Sequence, residues 1–487
     1  MKIRHFLLSS SVAAALFLNS CATNPVTGKK EVMLVSEGQE LAMGQQSDPA
    51  VVAQFGLYPD DKLQKFINEK GKQMGAISHR PELTYNFRVV DSPIINAFAI
   101  PGGYVYFTRG IMAHFNNEAQ FAGVLGHEIG HVTARHSAKQ QTSAIIGQVG
   151  LMGAMIASPK LAQFGEQAMQ GMQLLFLKFG RDDERQSDGL GVEYSSKIGY
   201  DASEMADFFQ TLSREQAQSG AEAIPDFLST HPNPEDRYNT VKQLAADWKQ
   251  KNGNPKLAIN RDQYLRMIDG IVYGEDPKQG FVENNVFYHP ELKFRFPVPQ
   301  GWKFQNTPQQ FQMADPAGKA LQMLMLAPGN SLDEAAQNLA KQLSLQPTDS
   351  KKSTINGFPA LAFVADQVQQ DQQTGQQVAG VRTLTYLIQD GKTIFAIIGV
   401  SAPADFPTYA PQFTSVAEAF QRLTDPDKLN RQPERVRIKT LKLRSNLAAA
   451  LRTYNVPEKR MEEMAILNGM QLNDQVNAGS LIKVVEK

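Results

Sequence analysis

The sequence predicts an α+β fold made of three units that follow one another along the chain. Apolar residues recur at helical spacing across most of residues 32–251. Beyond Pro255 the pattern changes to short strands mixed with a helix, and the end of the chain has short helices between strands. These patterns predict a mainly helical unit with a small sheet, a second α+β unit and a small strand–helix–helix–strand unit.

The first unit contains one strand-like run within its helical pattern, YNFRVVDSPIINAFAIPGGYVYFTRG at 85–110. β-Branched and aromatic residues alternate on both sides of Pro101-Gly102-Gly103, as in strands joined by a turn. We therefore expect this domain, residues 21–282, to hold a few strands among its helices.

The second unit is expected at residues 283–425. LKFRFPV at 292–298 alternates like a strand. Ser331 and Glu334 are spaced as a capping box at the start of the helical segment SLDEAAQNLAKQL. The apolar run at 383–400 predicts a hairpin that turns at Asp390-Gly391.

The third unit is expected at residues 430–487. The strand candidates RVRIKTLK and SLIKVVEK flank two helix candidates, NLAAALRTYNV and PEKRMEEMAILNGM. From Lys428 onward twelve Lys and Arg stand against six Asp and Glu, a net charge of about +6. This excess predicts either a solvated charged surface or a docking face for an anionic partner.

The overall composition argues against a nucleic-acid partner, an intramolecular disulfide and a cysteine-based metal site. The 487 residues include 49 Lys and Arg against 49 Asp and Glu, and no long basic run is interleaved with aromatic residues. This leaves no electrostatic footprint for a nucleic acid, so none is expected as a partner. Cys21 is the only cysteine, which excludes an intramolecular disulfide and a cysteine-based metal site.

Residues 1–20 have the pattern of a secretory signal peptide. Lys2 and Arg4 precede an apolar run at 6–18 that is too short to span a bilayer comfortably. The segment resembles a bacterial lipoprotein signal, in which Cys21 becomes the lipidated first residue. That resemblance implies a periplasmic protein with a lipid anchor, and Ala22 favours the outer membrane. The alternative is an ordinary signal peptide followed by an incidental cysteine.

The stretch GHEIGH carries the strongest chemical signal. His127 and His131 lie four residues apart, so a helix directs both imidazoles at one point. Two neutral imidazoles are good zinc ligands, and the adjacent Glu128 is free to act as general base. Chance would produce HExxH in on the order of one chain in a hundred of this composition. His136 falls five residues beyond His131, away from the ligand face, and is expected to be a surface residue or a partner of a ligand.

A third ligand must come from elsewhere in the chain. FGRDDERQSDGLGVEYSSKIG at 179–199 has helical spacing, and its Glu184 and Asp188 lie four residues apart on one face. Glu184 would complete a His2Glu set, and Asp188 could accept the free N–H of a ligand histidine. The alternative is that both are solvated charges on a helix surface.

Several motifs occur together in one order: TNPVTGKKEVMLVSEGQELAMG (23–44), NAFAIPGGYVYFTRGIM (96–112), HEIGH (127–131), the acidic helix and STHPNPEDR (229–237). This combination resembles the zinc metallopeptidase family of HtpX-like and CAAX-prenyl endopeptidases, especially its periplasmic lipoprotein members. The resemblance covers about residues 23–280. It implies a zincin-type protease domain with one Zn²⁺ per chain, Glu184 as the third ligand and Asp188 in support. Gln186-Ser187 replaces the Glu-Ala usual in the family's pattern, at positions that are not ligands.

The resemblance also implies roles for residues outside these two helices. The strand at Asn96, Ala97 and Phe98 resembles the edge strand that pairs with an extended substrate, although Phe98 itself fits a core position. In relatives the histidine at the position of His231 approaches the metal. It acts there either as a transition-state hydrogen-bond donor or as a fourth ligand that blocks water. The apolar segment at 171–183, which leads into Glu184, could cover the cleft.

The two later units have weaker resemblances. Residues 283–425 loosely resemble the PsbP and Mog1 α+β folds, with Gly301-Trp302 as the best cue, and residues 430–487 resemble a LysM-like module. These resemblances imply binding to peptidoglycan or to an envelope-assembly partner.

The sequence as a whole predicts a zinc-dependent endopeptidase that cleaves misfolded or stalled cell-envelope proteins. Its substrates would be unfolded or extended protein segments. The alternative is a non-catalytic zinc-containing lipoprotein chaperone or assembly factor that acts through its C-terminal modules. An intact Glu128 favours the enzyme, because a purely structural zinc site needs no general base.

Overall fold

The computed structural model describes residues 21–147, 179–219, 227, 231, 234–370 and 377–487. The signal segment 1–20 and most of the apolar segment 171–183 lie outside the described residues. The predicted α+β class is confirmed. Helices span Glu37–Phe55, Asp61–Gly75, Arg109–His114, Glu118–Thr133, His136–Gly147, Arg181–Lys197, Ser203–Ser219, Pro234–Lys251, Arg261–Met267, Leu332–Gln342, Phe406–Glu418, Pro426–Leu429, Leu447–Thr453 and Met461–Leu467.

The strands are short in the first unit and long in the second. Within the described part of the chain, no helix has the length and apolar character needed to cross a bilayer. The strands are β1 (Cys21–Thr23), β2 (Lys30–Val32), β3 (Asn86–Val90), β4 (Ala97–Ile100), β5 (Tyr104–Thr108), β6 (Val272–Tyr273), β7 (Phe281–Glu283), β8 (Val286–His289), β9 (Phe294–Pro297), β10 (Lys303–Asn306), β11 (Gln310–Ala314), β12 (Ala320–Leu326), β13 (Leu345–Ile355), β14 (Phe358–Gln370), β15 (Gln377–Asp390), β16 (Thr393–Ser401), β17 (Gln421–Arg422), β18 (Glu434–Thr440), β19 (Ser445–Asn446), β20 (Gln475–Val476) and β21 (Leu481–Glu486).

The strand-like run of the first unit forms a three-stranded sheet in the order β3-β5-β4. β3 pairs with β5 in parallel, and β4 pairs with β5 antiparallel. The tight connection from β4 to β5 places Gly102 and Gly103 at φ angles of 83° and 92°, which side chains other than glycine rarely adopt. Because β5 lies between β3 and β4, β4 is an edge of this sheet.

The second unit is dominated by an antiparallel seven-stranded sheet in the order β10-β11-β12-β16-β15-β14-β13. The Leu332–Gln342 helix covers one face of it and the Phe406–Glu418 helix covers the other. The β15–β16 hairpin turns at Gly391, with Asp390 paired to Thr393. Ser331 caps its helix as expected, but the Glu334 carboxylate accepts from Asn330 N instead of the Ser331 backbone.

The C-terminal unit, residues 430–487, is joined to the first unit by both hydrogen bonds and packing. β18 pairs antiparallel with β21 on one side and with β6 on the other. Buried apolar residues of the C-terminal unit lie in the same hydrophobic cluster as the core around the Glu118–Thr133 helix. The C-terminal unit is therefore packed as part of the first unit's core.

Candidate metal centre

The Glu118–Thr133 helix, hereafter the histidine helix, is buried along its whole length. Asn117 caps its start, because the Asn117 side chain accepts from the backbone N–H of Gln120 at 2.8 Å. His127 and His131 lie one turn apart, and their Nε2 atoms are 3.0 Å apart. The four-residue spacing therefore directs both imidazoles at one point, as expected.

The Arg181–Lys197 helix, hereafter the acidic helix, crosses the histidine helix at close range. A Cβ on Gly126 would come within 3.0 Å of Gly191 Cα, and a Cβ on Gly191 would come within 3.1 Å of His127 N. The two glycines thus allow the backbones to approach. This approach places Glu184 and Asp188, one turn apart, beside the two histidines.

Four buried side chains converge where the two helices meet. Donor atoms of His127, His131, Glu184 and His231 lie within 4.8 Å of one another. His231 Nδ1 is 2.9 Å from the Glu184 carboxylate and 3.2 Å from His127 Nε2. The Glu184 carboxylate is also 3.4 Å from His131 Nε2.

This donor set fits a zinc ion. Ligands of a tetrahedral site with bonds of about 2.0–2.1 Å lie roughly 3.3 Å apart, close to the observed separations. Ring nitrogens of neutral imidazoles repel one another at such distances unless a proton or a cation lies between them. Both oxygens of Glu128 are buried without a hydrogen-bond partner among the described residues. A carboxylate in that condition is available for water or substrate at the site.

Asp188 contacts His127, one of the four donor residues, and Arg237 hydrogen-bonds to Asp188. Asp188 Oδ1 lies 2.9 Å from His127 Nδ1, which leaves Nε2 for the metal. Arg237 donates to both Asp188 oxygens, at 2.9 and 2.6 Å, and its Nη1 lies 3.2 Å from Glu184. The guanidinium stacks on Phe209, with 4.0 Å from Cζ to the ring centre. Arg237 is the last residue of the motif STHPNPEDR. The residues around it do not indicate that it pairs with Asp188.

His136 contributes to the surroundings of the donor group without belonging to it. The histidine helix ends at Thr133, Arg135 adopts a φ of 60°, and His136 starts a new helix. His136 Nδ1 lies 2.9 Å from His131 Nδ1. Gln186 and Ser187, where the chain departs from the family's pattern, both contact the His136 ring, at 3.0 and 3.3 Å.

Burial shapes the protonation of the site. Desolvation lowers the pKa of His127 to about 4 and that of His131 well below its ordinary value, which keeps both imidazoles neutral as ligands. Desolvation also raises the pKa of Glu128 to about 7. For Glu184 the effect of burial is outweighed by the charge of His231 and by hydrogen bonds from His131 and His231, so its pKa is well below the ordinary value.

The strand proposed to bind substrate lies at the edge of its sheet, and all four of its residues are buried. Thr108 N donates to Asn96 O, so the backbone groups of Ala97, the next residue, point away from β5. Phe98 packs in a small core with Tyr106, as its alternative assignment predicted. Phe227 donates its N–H to Ile95 O, and its ring stacks on His231.

Aromatic rings cover the donor group from two sides. Phe179, the one aromatic residue of the 171–183 segment that the structure describes, stacks on His131 with ring centres 4.0 Å apart. Phe227 stacks on His231 with ring centres 4.4 Å apart. Apolar rings at this distance lower the local dielectric constant, which strengthens the electrostatic interactions of the four donors.

Comparisons with known proteins agree with this geometry. Residues 61–245 match Peptidase family M48. The chain is 31% identical over 342 residues to the beta-barrel assembly-enhancing protease of Escherichia coli (strain K12), covering 69% of this chain and 65% of that protein. The protein of the same name from Yersinia pestis is 29% identical over 331 residues, covering 66% and 63%. The chain thus spans slightly less than two thirds of the length of these relatives.

Among solved structures, cyanobacterial PsbP from Synechocystis matches 28% of this chain and 91% of its own, at 10% identity and a TM-score of 0.23. The PsbP/Mog1 assignment of residues 283–425 stays a prediction. The M48 match, in contrast, contains the histidine helix, the acidic helix and His231, and so all four converging donors together with Asp188 and Arg237. Residues 61–245 of this chain therefore form a zinc metallopeptidase domain of family M48.

Proposed function

We propose that this protein is a zinc-dependent endopeptidase that cleaves misfolded or stalled cell-envelope proteins. The observation that carries the proposal is Glu128, a fully buried carboxylate with no hydrogen-bond partner among the described residues, next to His127 in the donor group. Its nearest charged neighbour is His231, whose Nε2 lies 3.6 Å from Glu128 Oε1. A site that held zinc only for stability would not require this second buried carboxylate, because burying a charge is costly.

In this proposal His127, His131 and Glu184 hold the metal. Zinc bound there would supply Lewis acidity, polarising the scissile carbonyl and lowering the pKa of a water towards about 7. Glu128 takes a proton onto its carboxylate and later passes it to the leaving amine. Burial raises the pKa of Glu128, which favours uptake of a proton by its carboxylate. Asp188 fixes the tautomer of His127 through Nδ1.

Substrate would bind as an extended segment along β4. The outward backbone groups of Ala97, which is fully buried in this structure, would pair with a strand once uncovered. Phe227, whose ring lies beside His127, donates its N–H to Ile95 O just before β4. Asn96 adds a buried Oδ1 acceptor without a hydrogen-bond partner among the described residues. Since a folded protein rarely offers a free extended segment, this mode of binding favours unfolded or damaged substrates.

The proposed location follows from the start of the chain. A lipid on Cys21 would anchor the protein on the periplasmic side of the outer membrane, where unfolded envelope proteins accumulate. Residues 283–425 and the C-terminal unit would then be available to peptidoglycan or to an envelope-assembly partner. The rival proposal, a non-catalytic zinc-containing lipoprotein chaperone or assembly factor, leaves the position of Glu128 without a purpose.

Metal removal tests the proposal. The purified protein, stripped with a chelator and reloaded with Zn²⁺, is incubated with unfolded casein and with a folded protein of similar size. We expect cleavage of casein only in the reloaded sample, and little cleavage of the folded protein. Casein cleavage that persists at full strength without metal would contradict the proposal, and absence of cleavage at one Zn²⁺ per chain would favour the chaperone.

His231 is expected to restrain the resting enzyme. It supplies a fourth donor where a catalytic site needs an open position. Its backbone N–H donates to Phe227 O, and Phe227 N–H donates to Ile95 O, one residue before Asn96. His231→Ala should therefore raise the rate of casein cleavage. If the open state is about 10% populated, the rise would be about tenfold.

His79→Ala is the matched control for this variant. His79 contacts Tyr194 and is not part of the donor group, so its loss should leave the rate unchanged. A rate for His231→Ala no higher than that of the unmodified protein, with zinc retained, would contradict this restraint. A lower rate would instead assign His231 to hydrogen bonding in the transition state.

A further inference from the structure

Lys483 is a buried cation in an otherwise apolar strand of the C-terminal unit. It lies in β21 between Ile482 and Val484, and all three residues have no exposed surface. Its Nζ donates to the backbone carbonyls of Ala113, His114 and Phe115, at 2.9, 3.3 and 3.1 Å. An ammonium group is rarely fully buried unless such partners satisfy it.

The three carbonyls lie just before the histidine helix in the metallopeptidase domain. They end the Arg109–His114 helix and begin the short connection to Asn117, which caps the histidine helix. The last carbonyls of a helix have no partner within it. His114 O also accepts from Asn116 Nδ2 at 3.3 Å, and the ammonium supplies a donor to all three carbonyls. His127 lies ten residues beyond Asn117, about 15 Å along the helix axis.

Other contacts hold the C-terminal unit against the same region. A Cβ on Gly469, which has a φ of 63°, would lie 2.9 Å from the Asn116 side chain. Arg214 donates to Met470 O at 2.8 Å, and Arg261 donates to Leu481 O at 2.8 Å. The unit therefore contacts the connection itself through Lys483 and Gly469, and its other two bonds reach the Ser203–Ser219 and Arg261–Met267 helices.

From this geometry we propose that Lys483 is a positioning residue for the metal centre. By fixing the connection at 113–115, it sets the start of the histidine helix and so the place of His127 and His131. The C-terminal unit is then a required part of the metallopeptidase scaffold, whichever partner its outer surface binds. The proposal deepens the proposed function, since it rests on the metal site assigned there, but it does not depend on proteolysis.

Lys483→Met tests the proposal, because methionine fills similar space without donors. The full-length protein is loaded with Co²⁺, whose visible absorption reports ligand geometry, and its Zn²⁺ affinity is measured by competition with a chelator. We expect an altered Co²⁺ spectrum and a Zn²⁺ affinity about tenfold lower, at the weak end of the effects seen for residues that support ligands. Leu451→Ala is the control: it opens a cavity in the C-terminal unit at a side chain that has no exposed surface and no hydrogen bond to 113–115.

The outcomes separate this proposal from the proposed function. If Lys483→Met keeps the unmodified spectrum and affinity, or changes them no more than Leu451→Ala does, the positioning role is wrong while the metal site stands. If the unmodified protein binds neither Co²⁺ nor Zn²⁺, the metal site fails and this proposal fails with it. If Lys483→Met does not fold, Lys483→Gln, which shortens the side chain and removes its charge, replaces it with the same expected spectral change, and an unchanged spectrum would overturn the proposal.

Discussion

Replacing Glu128 with glutamine is expected to abolish most peptide-bond cleavage while leaving zinc bound. The amide keeps the shape of the side chain but cannot accept a proton, and Glu128 is not among the converging donors. General acid–base groups contribute roughly 10²- to 10⁴-fold to rate, so cleavage of unfolded casein should fall by about that factor. Zinc content, measured by mass spectrometry on the same samples, should stay at one ion per chain.

Glu193→Gln is the matched control for Glu128→Gln. Glu193 lies on the acidic helix, pairs with Lys197 on the surface, and is outside the donor group. Its loss of one negative charge should leave both cleavage and zinc content unchanged. Equal cleavage by Glu128→Gln and the unmodified protein, both at full zinc occupancy, would remove Glu128 from the mechanism.

Replacing Glu184 with glutamine is expected to remove the metal itself. Its carboxylate is the one anionic group among the four donors, and it would balance the charge of the cation while forming an ion pair with Arg237 at 3.2 Å. An amide oxygen is a neutral and weaker ligand. Because removing a supporting residue already costs about 10- to 100-fold in metal affinity, loss of this ligand should cost more than about 100-fold. Competition with a chromogenic chelator measures the affinity, and cleavage should fall with zinc occupancy.

Asp183→Asn serves as the control on the same helix. Asp183 pairs with Lys139 at 2.8 Å and lies outside the donor group. The Asp183→Asn variant loses the same negative charge one residue away from Glu184, and it should bind zinc as the unmodified protein does. Zinc binding by Glu184→Gln as tight as that of Asp183→Asn would show that Glu184 is not a ligand.

The centre of the site could be predicted because its key spacings are local. His127 with His131, and Glu184 with Asp188, are each four residues apart, and helical geometry alone places each pair on one face. The contact between the two pairs, in contrast, forms only when the histidine helix and the acidic helix pack together. It depends on the close approach at Gly126 and Gly191, which the sequence indicates only as small residues on a helix.

Arg237 could not be predicted from its own surroundings. A lone arginine in the first turn of a helix is most often solvated, yet this side chain is buried between Asp188, Glu184 and Phe209. These partners are 28 to 53 residues distant in sequence. The available signal was that the arginine closes the motif STHPNPEDR, whose histidine reaches the same centre.

The packing of the C-terminal unit against the histidine helix could not be predicted from the sequence either. Its strand, helix, helix, strand order was predicted, and the resemblance to a binding module suggested a separate unit. The structure instead packs it into the core around the histidine helix. Lys483, a single cation in the apolar run SLIKVV, was the local sign that this strand faces something other than solvent or a uniform apolar core.

Anomalous diffraction at the zinc edge, from crystals of the metal-loaded protein, tests the metal centre most directly. We expect one strong peak per chain, with His127 Nε2 and His131 Nε2 at about 2.0–2.1 Å and a Glu184 oxygen at about 2.0–2.2 Å. Glu128 should lie beside the ion without bonding to it. A fully occupied zinc ion bound elsewhere in the chain, or one bonded to Glu128 in place of Glu184, would contradict the assignment of the metal centre.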